Sequence, residues 1–198
     1  MKIPAFILLA FMAVPNVLIG TSAFASSGTS LDSIPRSMIQ TASIYPGEEK
    51  MMRCSGFVVD ASRGFALTAE HCIVDGQVRL LVDEEPSEVV RTSKWLALVK
   101  VKPLTKPPLM IAKKRSSLRE PTWGFGWAFG QVYLQFQRHV AGYDDTDLVV
   151  DGAFIEGMSG GPVVNERGEV VGLVQGGVPG GAWLSGIEEI RDFLNMKD

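Results

Sequence analysis

Short apolar segments separated by turn residues make up most of the chain, and their spacing predicts β-strands rather than long amphipathic helices. The first set of predicted strands covers 56–60, 65–68, 78–82, 88–92 and 96–101, with turns at 62–64 and 75–76. The second set covers 122–126, 132–138, 148–150, 161–164, 170–175 and 182–184. A proline-rich and then basic stretch at 103–117 separates the two sets, and we expect a linker with a solvated basic cluster there.

Only the end of the chain has a helical pattern. Ile187, Ile190 and Leu194 would share one face, with Ser185 as the N-cap and Glu188 completing a capping box. The 21 glycines and 11 prolines favour turns over helices elsewhere. The pattern therefore predicts an all-β protein of two packed six-stranded antiparallel barrels, at about 38–102 and 118–198, with a short C-terminal helix.

Residues 1–25 have the pattern of a secretory signal peptide. Lys2 provides a positive start, a mostly apolar run follows, and Ala23 and Ala25 form an A-x-A cleavage site. An uncleaved anchor is the alternative, but two prolines in the apolar run disfavour a spanning helix. We therefore expect a secreted or periplasmic protein that is free of the membrane after cleavage, with a flexible polar leader at 26–37.

The two cysteines, Cys54 and Cys72, are predicted to form a disulfide, because exported thiols usually pair. A zinc site is the alternative, but two cysteines and two distant histidines lack zinc-ligand spacing. The net charge is −3 and no basic block is present, so we expect no nucleic-acid partner. We also expect no metal and no cofactor.

Two motifs carry the residue types of nucleophilic catalysis. Ser159 lies in a G-x-S-G-G-P run, whose glycines would expose the hydroxyl and leave backbone N–H groups free to stabilise an oxyanion. A simple turn is the alternative interpretation of that run. A serine nucleophile needs a general base, and the chain has two histidines. We expect His71, at a strand end beside Cys72, to be that base, and His139 to be an ordinary strand side chain.

Together these motifs resemble those of trypsin-like (chymotrypsin-fold) serine peptidases, and the resemblance covers most of residues 38–195. Residues 54–56 and 67–72 are similar to the family's cysteine-bridged histidine loop. Residues 151–162 are similar to the serine loop of the bacterial HtrA-type branch, and Val171-Gly172-Leu173-Val174 matches the strand that flanks the substrate. The resemblance is to the protease domain alone, so we expect no PDZ domain.

The resemblance implies the chymotrypsin fold and a peptide or protein substrate. Ser159 would attack the scissile carbonyl while His71 takes its proton, and the N–H groups of Gly157 and Ser159 would form the oxyanion hole. Ala153 would form the base of a small uncharged pocket that favours an apolar residue before the cut. Three residues would line a groove in which a peptide lies as an added strand: Gln175, Gly176 and Gly177.

The chain departs from the family at the third member of the catalytic triad. The family's aspartate opens a motif of the form Asp-Leu-Ala-Leu-hydrophobic-Lys-Val, and here Trp95 opens the matching stretch. An indole cannot accept the hydrogen bond that orients the histidine. Four other acids are alternatives between which the sequence does not choose: Asp75, Asp83, Glu84 and Glu85. The sequence therefore predicts a serine endopeptidase with a Ser159–His71 dyad, and a weak or inactive homologue that binds peptides is the alternative.

Overall fold

The first half of the chain closes into a barrel. The computed structural model describes residues 30–45, 47, 51–73, 79–102 and 105–196. Within these ranges the first barrel has six strands: β1 (Met38–Ile44), β2 (Met51–Asp60), β3 (Phe65–Ala69), β4 (Arg79–Val82), β5 (Glu85–Thr92) and β6 (Leu96–Lys100). Their spatial order is β1-β2-β3-β6-β5-β4, and the pairing of β4 with β1 closes the barrel.

The second half forms a matching barrel. Six strands of the described residues build it: β7 (Pro121–Ala128), β8 (Val132–Asp144), β9 (Asp147–Asp151), β10 (Pro162–Val164), β11 (Val170–Val178) and β12 (Gly181–Gly186). Their order is β10-β11-β12-β9-β8-β7, and β10 pairs with β7 to close the sheet. The predicted architecture of two six-stranded antiparallel barrels, the chymotrypsin-like fold, is therefore confirmed.

The sequence pattern does not predict β1, although most of its side chains are buried. Thr41 and Ser43 lie among its apolar residues, and both are fully buried. The Ser43 hydroxyl donates a hydrogen bond to the Cys72 carbonyl oxygen at 2.7 Å, which offsets the cost of removing it from water. Polar positions that face the barrel interior therefore conceal this strand from a hydrophobicity argument.

The segment before β1 is more ordered than a polar leader. Residues Leu31–Ser37, expected to be part of a flexible leader, form a 3-10 helix that buries Ile34 completely. The predicted signal peptide lies outside the described residues, and so does the predicted turn at 75–76. The predicted turn at 62–64 lies between β2 and β3, where Gly64 has a φ of +70°.

The C-terminal helix is present, but the predicted capping box is wrong. The helix α1 covers Ile187–Phe193, and its N-cap is Gly186, which makes no side-chain cap hydrogen bond. Ser185 instead lies within β12, and its hydroxyl accepts a hydrogen bond from the Gln175 side chain at 3.0 Å. Glu188 forms an ion pair with Arg115 across the fold.

A hydrophobic cluster extends across both barrels and holds them together. Phe57 and Leu67 of the first barrel and Phe125 and Leu173 of the second are fully buried in it. The described part of the linker is tied to both barrels as well. The Leu109 N–H donates to the Val58 carbonyl at 2.9 Å, and the Ala112 N–H donates to the Val170 carbonyl at 2.9 Å. No helix in the described ranges is long and apolar enough to span a membrane.

Candidate active site

His71 and Ser159 line one open cavity between the two barrels. Its volume is about 420 Å³, and residues of both barrels line it, with Cys54 and Met52 on one side and Gly157 on the other. His71 belongs to the short 3-10 turn Glu70–Cys72 that follows β3. Ser159 lies in the loop between β9 and β10. The fold thus brings together the two residues that the sequence singles out.

The backbone on both sides of His71 is fixed. The Glu70 N–H donates to the Trp95 carbonyl at 2.9 Å, and Cys72 is joined to Cys54 by the predicted disulfide, which is confirmed. The His71 side chain is exposed at the cavity. Desolvation by the surrounding protein lowers the pKa of its imidazole below the ordinary value, and the neighbouring Glu70 carboxylate opposes this shift. The neutral imidazole, which can accept a proton, is therefore favoured.

The loop that carries Ser159 depends on its glycines. Gly157 and Gly160 have φ angles of +90° and +81°, a region that other residues rarely adopt. A Cβ atom on Gly160 would lie 2.2 Å from the Ser55 carbonyl oxygen, so only glycine fits against β2. The Ser55 N–H donates to the Ser159 carbonyl at 2.9 Å, and the Ser55 hydroxyl donates to the Gly157 carbonyl at 2.9 Å. One residue of the first barrel thus holds the serine loop of the second.

Two N–H groups next to the Ser159 hydroxyl are left free. The Met158 N–H donates to the Ile155 carbonyl at 3.0 Å, and the Gly160 N–H donates to the Val174 carbonyl at 2.8 Å. The N–H groups of Gly157 and Ser159 make no hydrogen bond to any described residue. Backbone donors left unpaired in this way are ready to bind an anion or a polarised carbonyl oxygen.

The peptide group before Gly157 is turned so that its donor is available. The Glu156 carbonyl accepts a hydrogen bond from the Phe129 N–H at 2.6 Å. In a trans peptide the N–H points away from the carbonyl oxygen of the same unit. Because the Glu156 oxygen is held by Phe129, the Gly157 N–H points to the opposite side.

The Ser159 hydroxyl is not bonded to a base in this structure. Its Oγ donates to the Gln175 carbonyl at 3.5 Å, a long contact. The His71 ring makes no hydrogen bond to Ser159 or to any other described residue. In enzymes without bound substrate such catalytic hydrogen bonds are often loose.

An unpaired strand edge lies beside Ser159. Strand β10 pairs with β11 only as far as Leu173, whereas β12 continues to pair with β11 up to Val178. One edge of the end of β11 is therefore open. The three residues expected to form a groove, Gln175, Gly176 and Gly177, belong to this segment, and the two glycines are exposed.

Ala153, the expected base of a specificity pocket, lies in the loop after β9. Its carbonyl oxygen accepts a hydrogen bond from the Arg138 guanidinium at 2.8 Å. The same guanidinium stacks on the rings of Phe136 and Phe154, 4.7 and 5.7 Å from their centroids. A cation therefore lies next to Ala153, and the sequence pattern gave no signal for it.

Trp95 lies immediately before β6, and its carbonyl oxygen accepts two hydrogen bonds. This oxygen accepts the Glu70 N–H at 2.9 Å and the Gln175 Nε2 at 2.8 Å. The Trp95 indole is 37% exposed and lies under the Lys94 ammonium, 4.5 Å from the ring centroid. It lines a second cavity of about 580 Å³ together with Asp147 and Glu189.

The other candidate residues have different partners. Both carboxylate oxygens of Asp83 are occupied, one by the Gln40 N–H at 2.9 Å and one by the Lys106 ammonium at 2.6 Å. Glu84 lies with Asp83 in the β4–β5 turn, Glu85 forms an exposed ion pair with Lys102 at 3.5 Å, and Asp75 lies outside the described residues. In the described part of the chain, no group of three or more His, Cys, Asp or Glu side chains is placed to hold a metal ion.

His139 lies in β8, away from the Ser159 loop in sequence. Its Nδ1 is 3.2 Å from an Asp151 carboxylate oxygen, and its backbone N–H donates to the other oxygen at 2.6 Å. Both side chains are half exposed. These contacts are those of a cross-strand surface pair.

A sequence model of the trypsin-like peptidase domain matches residues 54–173, a range that includes His71 and Ser159. The chain belongs to the trypsin-like peptidase family. The resemblance based on the two motifs is thereby confirmed. No curated protein matches the sequence of this trypsin-like peptidase.

Solved structures of serine proteases have the same fold as this trypsin-like peptidase. The active form of the Rv3671c protease from M. tuberculosis is 19% identical, with a TM-score of 0.75 over 96% of this chain and 93% of that chain. Its inactive form is also 19% identical, with a TM-score of 0.70 over 83% and 90% of the two chains. The serine endoprotease from Yersinia pestis is 16% identical, with a TM-score of 0.72 over 82% of this chain and 64% of that chain.

Proposed function

We propose that the protein is an exported serine endopeptidase with Ser159 as the nucleophile and His71 as the general base. The observation that carries the proposal is the pair of free N–H groups, of Gly157 and Ser159, in the cavity that also contains His71. A simple turn does not require an exposed hydroxyl, an adjacent imidazole and two unpaired donors together. An acyl-transfer site requires all three.

The reaction follows from these positions. The Ser159 oxygen attacks the carbonyl carbon of the scissile peptide bond while the His71 imidazole takes the hydroxyl proton. The carbonyl oxygen becomes an oxyanion, which accepts hydrogen bonds from the Gly157 and Ser159 N–H groups. The imidazolium then protonates the leaving amine, and water hydrolyses the acyl-serine by the same steps in reverse order.

The open edge of β11 supports a peptide as the substrate. A chain that lies beside Gln175, Gly176 and Gly177 would complete the sheet and satisfy the unpaired backbone groups. Binding through the main chain fits an endopeptidase, because the substrate must extend on both sides of the cut.

For the residue before the cut we keep the expectation of an apolar side chain near Ala153. A peptide library should show this preference. A strong preference for Lys or Arg would contradict it. A strong preference for acidic residues would also contradict it, and would indicate that the nearby Arg138 guanidinium binds the substrate side chain.

Export is supported by the Cys54–Cys72 disulfide, since such bonds persist in oxidising compartments. The proposal includes cleavage of residues 1–25 and a secreted or periplasmic location. N-terminal sequencing of the mature protein should begin at Ser26.

A peptide-binding module without catalysis is the second candidate. Trp95 stands where the family's aspartate is expected, and the His71 ring has no hydrogen-bond partner among the described residues. Such a protein would keep the groove and lose turnover.

A fluorophosphonate probe distinguishes the two candidates. We expect labelling of the wild type between pH 6 and 9 and none of Ser159→Ala, with His71→Ala strongly slowed. Matched unfolding curves establish that the variants are folded. Absence of labelling in the folded wild type would reject the endopeptidase and favour the binding module.

A further inference from the structure

Gln175 contacts Trp95 through its side chain and Ser159 through its backbone. Its Nε2 donates to the Trp95 carbonyl at 2.8 Å and to the Ser185 hydroxyl at 3.0 Å. Its backbone carbonyl accepts the Ser159 hydroxyl at 3.5 Å. One residue therefore contacts both the nucleophile and the strand end where a triad acid would stand.

The orientation of this amide is determined by its partners. A carbonyl oxygen can only accept a hydrogen bond, so the amide atom that faces Trp95 must be the nitrogen. The Oε1 atom consequently points away from the Trp95 carbonyl. It is buried and has no hydrogen-bond partner among the described residues.

A buried amide oxygen without a donor is unfavourable, so a donor is expected to meet it. The His71 ring carries an N–H donor that has no partner among the described residues. Its backbone follows directly after Glu70, whose N–H shares the Trp95 carbonyl with Gln175. The His71 side chain is exposed at the cavity.

On the basis of the proposed function, we infer that Gln175 is the positioning residue of the site, accepting a hydrogen bond from His71 Nδ1–H in place of the triad aspartate. With the proton held on Nδ1, the other ring nitrogen is unprotonated and can accept the Ser159 proton. Amide side chains orient the histidine in papain-like cysteine proteases in a comparable way.

The position of Ser185 extends this arrangement toward an acid. Ser185 is fully buried, and its hydroxyl hydrogen-bonds to the Glu189 carboxyl. Burial is the largest effect on the pKa of Glu189 and raises it, whereas the hydrogen bond from Ser185 lowers it. Asp147 raises this pKa further, and Lys94 lowers it. A carboxylate at the far end would polarise the serine and the amide, and so strengthen Oε1 as an acceptor.

The matched variants are Gln175→Met, which keeps the side-chain length but removes the amide, and Gln135→Met on the exposed face of β8. Ser185→Ala removes only one anchor of the amide and serves as a milder third variant. Two quantities are measured: the second-order rate of fluorophosphonate labelling, and the tautomer of neutral His71 by nitrogen-15 NMR. The chain has two histidines, so a His139→Gln spectrum assigns the signals.

We expect Gln175→Met to slow labelling by about tenfold, the equivalent of one net hydrogen bond. Its His71 should also lose the Nδ1–H tautomer that predominates in the wild type. Ser185→Ala should show the same changes to a smaller degree, and Gln135→Met should match the wild type.

The inference is overturned if folded Gln175→Met keeps the wild-type tautomer, or if its labelling rate is unchanged although the tautomer is lost. Absence of labelling in the wild type is a different result, because it rejects the proposed endopeptidase. In that case the tautomer comparison alone decides whether Gln175 orients His71.

Discussion

Replacing Gly157 by alanine tests the free N–H pair most directly. The ideal Cβ atom at this position would lie 2.5 Å from the Trp127 carbonyl oxygen and 2.8 Å from the N atoms of Phe129 and Gly130. All three are main-chain atoms, so no side-chain rotation relieves the contact. The φ of +90° adds strain for any residue with a Cβ, about 1–3 kcal/mol.

The consequence for catalysis follows from the geometry. Relief of the contact must move the peptide group between Glu156 and Gly157, and the Gly157 N–H moves with it. Loss of one oxyanion donor slows acyl transfer by about 10²–10³-fold. Because Ser159 and His71 are unchanged, residual activity should remain above that of Ser159→Ala.

The assay is the rate of hydrolysis of a peptide ester, measured together with the thermal unfolding midpoint. Gly142→Ala is the matched control, because its Cβ would have no atom within 4 Å, and its activity should equal that of the wild type. If Gly157→Ala is folded and hydrolyses the ester within threefold of the wild-type rate, Gly157 is not an oxyanion donor.

Three other changes have defined outcomes. Replacing Cys54 and Cys72 together by alanine opens a loop with a sequence separation of 18 residues and should lower the free energy of unfolding in urea by about 3 kcal/mol; an unchanged midpoint would contradict this. The rate of labelling should fall at acid pH with a midpoint below 6.5, because desolvation lowers the pKa of His71 more than Glu70 raises it; a midpoint above 6.5 would reject that balance. Trp95→Asp should raise the labelling rate toward the roughly 10⁴-fold contribution of a triad aspartate, and no gain would show that the missing acid does not limit the rate.

Much of the site could be predicted from the sequence because its constraints are local. The glycines around Ser159 lie within one short loop, and the cysteine beside His71 lies within one short turn. Each motif can therefore be recognised from neighbouring residues alone. The sequence also predicts strands such as β3 and β6, because four of the five residues in each are apolar. For these elements the hydrophobic pattern of the sequence agrees with the burial of the residues in the structure.

The failures occurred where a distant partner decides the role of a residue. Ser185 followed by Glu188 has the spacing of a capping box, yet the serine faces Gln175 inside the barrel and the glutamate faces Arg115. The resemblance assigns Gln175 to the groove, but no sequence signal marks its side chain as a partner of Trp95 and Ser185, because a glutamine in a strand is ordinary. Its side-chain contact with Trp95 joins residues 80 positions apart in the chain, and its contact with Ser185 depends on the pairing of β11 with β12.

The three contacts of Ser55 have a consequence for cooperativity. This residue of β2 holds the main chain at Ser159 and Gly157, and its hydroxyl also accepts the Trp127 N–H at 2.9 Å. The donors that would bind the reacting oxygen are therefore in place only while the two barrels are docked. Activity should disappear at the denaturant concentration at which the barrels separate, even where each barrel still retains its own strands. Loss of activity would therefore measure the separation of the two barrels.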